Sequence, residues 1–331
     1  ALSYELIAML RDIMSTQTIS VQPDEKLKNV ANLMVSSGIR RIVVNVGSTP
    51  LGVISARTLL REAIANANWG DKEAKDVMRP GIFADPDTPT KAGAKIMVRY
   101  GIGSLLIRGG GIVTERDIAR ALPRMNIPAM AVATTQVFTM PVDMTYADAA
   151  SAMVNMGISH VPLTEGNRIV GLVSLRDVLK ALINGDFNAK MKEKEYYSKN
   201  PVTLPDDATV SDVANLITSK NIGSVLLMEE GTNLTSDLRG IVTEWDLVRT
   251  YANSVRAYVL VKVESSKIRN VVATLTLTPR VTSLSAVYGP YDILVTVDVE
   301  SQEVLGTFVT QSIGNISGVR ETLTMIEAEQ I

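Results

Sequence analysis

Gly111–Asp117 reads GIVTERD, and the same heptad returns as GLVSLRD at Gly171–Asp177 and GIVTEWD at Gly240–Asp246, with a weaker copy, GVISART, at Gly52–Thr58. In each copy two apolar residues close a predicted strand, and a Ser or Thr takes the position of a helix N-cap. In three of them an Asp follows in the first helical turn. Successive starting glycines are 59, 60 and 69 residues apart. A period of that length marks a small domain rather than a solenoid unit.

Reading back from each corner, the four repeats share their parts. A short segment ends in a polar residue before an acidic turn, as at Ile19-Ser20, Ile82-Phe83, Phe138-Thr139 and Val202-Thr203. A helix follows, because apolar residues recur at three and four: Leu27, Val30, Ala31 and Met34 in repeat 1, Val210, Val213, Ala214 and Ile217 in repeat 4. A Gly-Ile or Asn-Ile turn then enters an apolar run typical of a buried strand, and a hairpin leads into the glycine corner and a second helix. Each repeat is therefore β-α-β-β-α. Pro123–Thr135 is irregular and reads as a hinge between repeats 2 and 3.

This order, with four in-phase copies of the corner, resembles the CBS domain over residues 1–252. The resemblance implies two tandem pairs, or Bateman modules, joined through their sheets, with adenosine-containing ligands in the clefts between paired domains. The boundaries read as 1–66, 67–124, 125–188 and 189–253. Two features depart from the family pattern. Thr58 stands where the other repeats carry Asp, and only Arg108-Gly109-Gly110 joins the strands of the repeat 2 hairpin.

From Val255 the pattern changes to β-α-β-β-α-β, the split βαβ or ferredoxin-like order. Strands are expected at Tyr258–Val263, Val281–Val287, Asp292–Val299 and Val319–Glu327, and helices at Ser265–Leu277 and Ser301–Ile313. With Tyr288-Gly289-Pro290-Tyr291-Asp292 and Gly318–Thr322, residues 254–331 resemble the effector-binding domain of Lrp/AsnC-type regulators. That resemblance implies a domain that dimerises through its sheet and binds small effectors, often amino acids. The helix-turn-helix usual in that family is replaced here by the repeats. The overall expectation is an α+β chain of five domains.

Composition narrows the chemistry. The chain has 331 residues, 46% hydrophobic and 21% charged, with a net charge of −2. That balance gives no reason to expect direct binding to nucleic acid or membrane. No apolar run approaches the roughly 20 residues that span a bilayer, so a cytoplasmic location is expected. Zero cysteines and one histidine remove thiolate, Cys-metal and most imidazole chemistry. No catalytic residue and no metal site are expected.

The Ser/Thr-x-x-Asp corner has two readings. It is the sequence of a capping box. It also sets a hydroxyl and the unpaired N–H groups of a helix N-terminus where a phosphate fits, with an Asp one turn on to accept from ribose hydroxyls. On the second reading the nucleotide-binding residues are Ser55, Thr114, Asp117, Ser174, Asp177, Thr243 and Asp246. Arg57, Arg116 and Arg176 precede the last position of the corner in three repeats. A cation in a first helical turn costs about 0.3–1 kcal/mol against the macrodipole, a sign that a bound anion reverses. Extension into solvent is the alternative for these side chains. Trp245 takes their place in repeat 4 and is expected to pack. Arg41 and His160 share one repeat position, where Ser104 and Ser224 stand in repeats 2 and 4. The resemblance points this position into the central cleft, towards phosphate, and sets Ser20, Thr139 and Thr203 facing the purine. Gly289, Tyr291 and Asp292 are candidate effector residues or simply a tight turn.

Three functions are weighed. The first is a non-catalytic sensor of AMP, ADP or ATP, with S-adenosylmethionine as rival ligand, coupled to an oligomerising C-terminal domain in a homodimer or larger assembly. The second is a transcription-related amino-acid sensor or co-regulator acting through residues 254–331. An enzyme ranks last, since no acid–base pair is readable.

Overall fold

A computed structural model describes residues 8–328 of the chain. Residues 1–7 and 329–331, assigned above to the first and last domains, lie outside the described residues. In repeat 1, a short helix α1 (Leu10–Ile13) precedes β1 (Ser20–Val21), α2 (Leu27–Ser37), β2 (Arg41–Val46), β3 (Thr49–Ser55) and α3 (Ala56–Ala65). The strand β1 pairs in parallel with β2, which returns antiparallel as β3. Repeat 2 follows with α4 (Ala74–Val77), β4 (Arg79–Pro80), β5 (Phe83–Ala84), α5 (Thr90–Tyr100), β6 (Ser104–Ile107), β7 (Ile112–Thr114) and α6 (Glu115–Ala121). Repeat 3 holds β8 (Met140–Pro141), α7 (Tyr146–Met156), β9 (His160–Glu165), β10 (Arg168–Ser174) and α8 (Leu175–Ile183). Repeat 4 holds β11 (Thr203–Pro205), α9 (Val210–Lys220), β12 (Ser224–Met228), β13 (Leu238–Thr243) and α10 (Glu244–Asn253).

The Gly-Ile and Asn-Ile turns are helix C-caps. Gly38, Gly101, Gly157 and Asn221 end α2, α5, α7 and α9 at φ of 65°, 61°, 67° and 53°. Glycine takes this left-handed conformation freely and asparagine more readily than other residues, so the chain leaves each helix at the same angle and enters the central strand in register.

Segments ahead of the repeats are exchanged within each pair. Leu10 N–H donates to Thr88 O at 2.8 Å and Ser15 bridges Ile112, so α1 belongs spatially to repeat 2. In return Ala74 N–H donates to Glu25 O at 2.8 Å and β4 extends the sheet of repeat 1 at Gly52 and Val53. The second pair repeats the arrangement, with Thr134 bridging Ile241 and Ser198 bridging Leu172. Pro123–Thr135 is therefore not a free hinge. Met125, Ile127 and Ala129 alternate along it and are buried in the core of repeat 4, which fixes the segment in place.

Val43, Leu106 and Ile112 join the sheets of repeats 1 and 2, and Ile169, Leu226, Met228 and Ile241 join those of repeats 3 and 4. The two pairs then meet through helices. The helices α2 and α3 share one core with α7 and α8, while α10 packs on α5 and α6. Repeat 1 thus lies against repeat 3 and repeat 2 against repeat 4, closing a ring. Met34, Leu59, Met153 and Leu179 are fully enclosed at the first contact. Burying each such side chain contributes about 1.5–3 kcal/mol, which favours a fixed relation between the pairs over a loose one.

The chain passes directly from α10 into β14 (Val255–Val263), followed by α11 (Ile268–Thr276), β15 (Val281–Ala286), β16 (Ile293–Val299), α12 (Gln302–Phe308) and β17 (Val319–Ile326). Sheet order is β15-β16-β14-β17, the ferredoxin-like arrangement read from the sequence. Ala257, Val259, Val261 and Val263 alternate inward under the helices, and the opposite face carries Leu323 and Met325 at 45% and 46% exposure. This domain docks on the segment between repeats 2 and 3. Arg280 N–H donates to Asn126 O at 2.8 Å, Asn126 Nδ2 to Val281 O at 3.0 Å, and Arg256 Nη2 to Arg124 O at 3.1 Å.

Candidate functional site

All three Asp-bearing corners form the capping box. The N–H groups of Thr114, Ser174 and Thr243 donate to Oδ2 of Asp117, Asp177 and Asp246 at 2.9, 2.8 and 2.9 Å. The cap engages one carboxylate oxygen and leaves Oδ1 of Asp117 and Asp177 without a hydrogen bond among the described residues. Oδ1 of Asp246 accepts from Arg249 at 2.6 Å. Burial raises Asp117 above its ordinary range and pushes Asp177 up to about 6, against the stabilising bonds from Thr114 and Ser174. In repeat 1, Thr58 Oγ1 lies 3.1 Å from Ser55 Oγ, so the two hydroxyls satisfy each other.

Two cavities open at these corners. The larger, about 680 Å³, runs from Ser55 and Thr58 of repeat 1 past Arg41 and His160 to Thr243 and Asp246 of repeat 4. The smaller, about 270 Å³, lies at Thr114 and Asp117 of repeat 2 and is walled by Arg40, Arg41, Arg116 and Arg176. Ser174 and Asp177 line neither, and the Tyr197 ring lies so close to their corner that a Cβ on Gly171 would come within 2.6 Å of it.

Ser20, Thr139 and Thr203 also line neither cavity. By Ser20 the chain has already entered its parallel pairing with Val43, and Thr203 is likewise held opposite Leu226. Polar residues reach the mouths earlier in the chain, Gln17 and Thr18 in one cavity, Thr134 and Gln136 in the other.

At the ring's centre Arg41 and His160 do occupy equivalent places, and each is matched to a glycine and a glutamate of the paired repeat. A Cβ on Gly103 would fall 1.8 Å from Arg41 Nη2, and one on Gly223 would fall 2.5 Å from His160 Nε2. Arg41 bonds Glu115 at 3.1 Å. Glu244, 1% exposed, takes Arg40 at 3.0 Å and Arg116 at 3.1 Å, both from the other pair. Burial alone pushes Glu244 up, but Arg40 and Arg116 outweigh it and hold the carboxyl below its usual range. His160 has Ser159 Oγ at 2.8 Å from Nδ1. Loss of hydration, reinforced by the charge of Arg40, lowers its pKa to about 3, so the ring is neutral. Glu115, Glu244 and Arg40 were not singled out from sequence. Their signal was present, because Glu follows the N-cap Thr only in repeats 2 and 4, where the paired repeat supplies Arg41 or His160.

The arginines ahead of the Asp position are tied across the ring. Arg57 donates to Met153 O at 2.5 Å, Arg176 to Gly38 O at 3.0 Å and Arg116 to Asn221 Oδ1 at 2.7 Å. Each thus meets the C-terminal end of the first helix in the facing repeat, where the macrodipole is negative. Extension into solvent, one of the two readings of these side chains, is not what they do, and the contacts relieve the first-turn penalty. Trp245 packs against the core shared by repeats 2 and 4 and also lines the larger cavity.

In the C-terminal domain, Asp292 Oδ2 accepts the Val263 N–H at 2.7 Å, where the register of β14 shifts. Tyr291 Oη donates to Glu321 at 3.2 Å, and Gly289 sits at φ 131°. Asp292 therefore braces a turn. Among the described residues no group of three or more His, Asp or Glu side chains is placed to hold a metal, and no helix is long and apolar enough to cross a membrane.

The family model of the CBS domain matches residues 10–65, 74–124, 129–184 and 194–253, and that of the Lrp/AsnC ligand binding domain matches residues 256–331. An uncharacterised 33.4 kDa protein in a ribosomal RNA operon of Thermofilum pendens is 26% identical over 66% of this chain and 84% of its own length. Among solved structures, protein MJ1225 of Methanocaldococcus jannaschii, described as a candidate archaeal homologue of γ-AMPK, is similar with a TM-score of 0.63 at 19% identity, over 74% of this chain and all of that one. An uncharacterised conserved protein from Pyrococcus horikoshii gives a TM-score of 0.52 at 15% identity, also over 74% of this chain and all of that one. Both likenesses concern the fold.

Proposed function

The chain belongs to the CBS-domain proteins, with four copies of the domain followed by an Lrp/AsnC ligand-binding domain, and from that premise we propose that it is a non-catalytic sensor of adenosine nucleotides. The observation that carries this reading is that two Thr-x-x-Asp corners, Thr114–Asp117 and Thr243–Asp246, open onto cavities also lined by arginines. An Asp with ribose hydroxyls, a helix N-terminus and guanidinium groups make up the recognition set for a nucleoside phosphate. Four arginines around the smaller cavity favour phosphate over S-adenosylmethionine, whose sulfonium would add positive charge to them.

Ligand binding reports through the ring. Arg40, Arg41, Arg116 and Arg176 line a cleft and are also bonded to Glu244, Glu115, Asn221 or Gly38 of a different repeat. A phosphate that draws on these groups changes the contacts between pairs, and coupling of this kind typically amounts to about 1–3 kcal/mol. The open sheet face with Leu323 and Met325 is the surface through which the C-terminal domain would associate as a homodimer or larger assembly. With Asp292 engaged as a turn brace, an amino-acid effector is the second reading.

Titration calorimetry with AMP, ADP, ATP, S-adenosylmethionine and amino acids tests this. Adenosine nucleotides are expected to bind, and Asp117→Ala and Asp246→Ala each to remove one site. Heat from amino acids alone would move the function to residues 256–331.

A further inference from the structure

We propose that the larger cavity takes one ligand held at both ends: a nucleoside at the corner of repeat 4, and its polyphosphate tail among Arg57, Arg61 and Arg79 at the corner of repeat 1. The site then selects nucleoside triphosphates over monophosphates. This rests on the nucleotide reading given above and specifies the ligand for one of its clefts.

The two ends of the cavity are chemically unlike. At repeat 4, Thr243 and Asp246 form the complete corner, with Arg249 on Asp246 Oδ1, an oxygen that a ribose hydroxyl would share or take over, and Thr134 and Gln136 at the mouth. At repeat 1 the ribose acid is replaced by Thr58, which is 8% exposed and already bonded to Ser55. A hydroxyl in that condition does not offer the two acceptor oxygens that a ribose diol engages. Repeat 1 therefore lacks the group that reads a nucleoside.

What it has instead is positive charge with no carboxylate beside it among the described residues, whereas Arg249 at the repeat 4 end is paired with Asp246. Arg57, Arg61 and Arg79 all line this end. Arg57 is tied by Nη1 to Met153 O, and the side chains of Arg61 and Arg79 make no hydrogen bond or ion pair among the described residues. The acids lining the same cavity are Glu115 and Asp246, the first bonded to Arg41 and the second lying at the opposite corner. Like charges gathered in one place repel: burial first, and then the charge of Arg61, lower the Arg57 pKa against the opposing pull of Glu115. A polyanion reverses that repulsion, and guanidinium groups match phosphate oxygens two at a time.

The space between the ends is continuous and leads past Arg41 and His160. Its volume of about 680 Å³ is well over twice the about 270 Å³ of the repeat 2 cleft. Ligand pockets commonly span about 300–1,000 Å³, so one extended nucleotide fits the larger space.

The test is titration calorimetry in magnesium-free buffer, on full-length protein carrying Asp117→Ala to silence the repeat 2 cleft. AMP, ATP and inorganic tripolyphosphate are the probes, with Arg61→Ala/Arg79→Ala and Asp246→Ala added in turn. Both arginines are exposed, so their loss leaves the core intact. ATP is expected to bind at least about tenfold more tightly than AMP, the equivalent of 1.4 kcal/mol. The arginine pair should weaken ATP by about that factor and leave AMP unchanged. Tripolyphosphate should compete with ATP, and Asp246→Ala should weaken both nucleotides but not tripolyphosphate. Equal affinity for AMP and ATP, both indifferent to the arginines, overturns the inference while the nucleotide reading stands. Absence of any adenine binding overturns both.

Discussion

The single histidine of the chain provides a sharp test of the central geometry. His160 is held at a pKa of about 3, against 6.5 for the free side chain, because it has lost hydration and faces Arg40, Arg176 and Arg116. Between these two values the unfolded chain holds one proton that the folded chain does not. The contribution of the neutral ring to stability is therefore complete above pH 6.5 and is lost as the pH falls towards 3, by about 1.4 kcal/mol per unit. At pH 4.5 the loss relative to pH 7 is about 2.7 kcal/mol. NMR of the imidazole follows this without assignment, since no other histidine contributes. The free protein should show no titration between pH 7 and 5, and a bound nucleotide, which brings negative charge, should raise the midpoint. His160→Asn should remove the corresponding slope from chemical denaturation. A midpoint near 6.5 in the folded protein would refute the enclosure of this ring among arginines.

Asp177 has the opposite sign. Its folded pKa of about 6 lies above the ordinary 3.8, so the ionised form costs stability above pH 6, and the cost fades as the pH falls to 4. Asp177→Asn keeps an oxygen for the Ser174 N–H and should stabilise the protein by about 1–3 kcal/mol at pH 7.5, with no gain at pH 4 in thermal melts. Glu244→Gln removes the buried partner of Arg40 and Arg116 and should destabilise the ring by about 3–5 kcal/mol in denaturant titration, and a loss below about 1 kcal/mol would contradict its role. Asn126→Ala breaks the bond to Val281 O and should loosen the C-terminal domain by about 1–2 kcal/mol, read as faster hydrogen exchange at the Arg280 amide.

Much of the fold was legible because the same local instructions recur. The 3.6-residue spacing of Leu27, Val30, Ala31 and Met34, the left-handed caps at Gly38 and Asn221 and the Thr-x-x-Asp starts each specify an element from neighbours within a few residues. Repetition then removed the ambiguity that attends any one of them. Pro123–Thr135 was misread as a hinge because its information is not local. Met125, Ile127 and Ala129 look like irregular chain until the groove of repeat 4 that they fill is known. The exchange of α1 and α4 between repeats escaped for the same reason, since a short helix carries no mark of which sheet it will pack against.

The site divided along the same line. Thr114, Asp117, Thr243 and Asp246 were readable because the helix start that places them is local, and Arg41 and His160 because the repeats could be aligned. Ser20, Thr139 and Thr203 lie outside the two cavities. Where a parallel strand begins decides which polar residue is left at a cleft, and the residues that line these two are Thr18 and Gln136, two and three positions before Ser20 and Thr139. The central charges needed comparison across repeats rather than within one. Glu115 and Glu244 are acids added at one position in the even repeats only, and Arg41 and His160 are bases added at one position in the odd repeats only. Neither is informative alone. Set beside glycines at 103 and 223 that let the bases approach, the alternation shows that paired repeats are complementary rather than equivalent. Complementary halves give a ring with unlike corners, so one fold repeated four times can offer clefts of different charge and capacity.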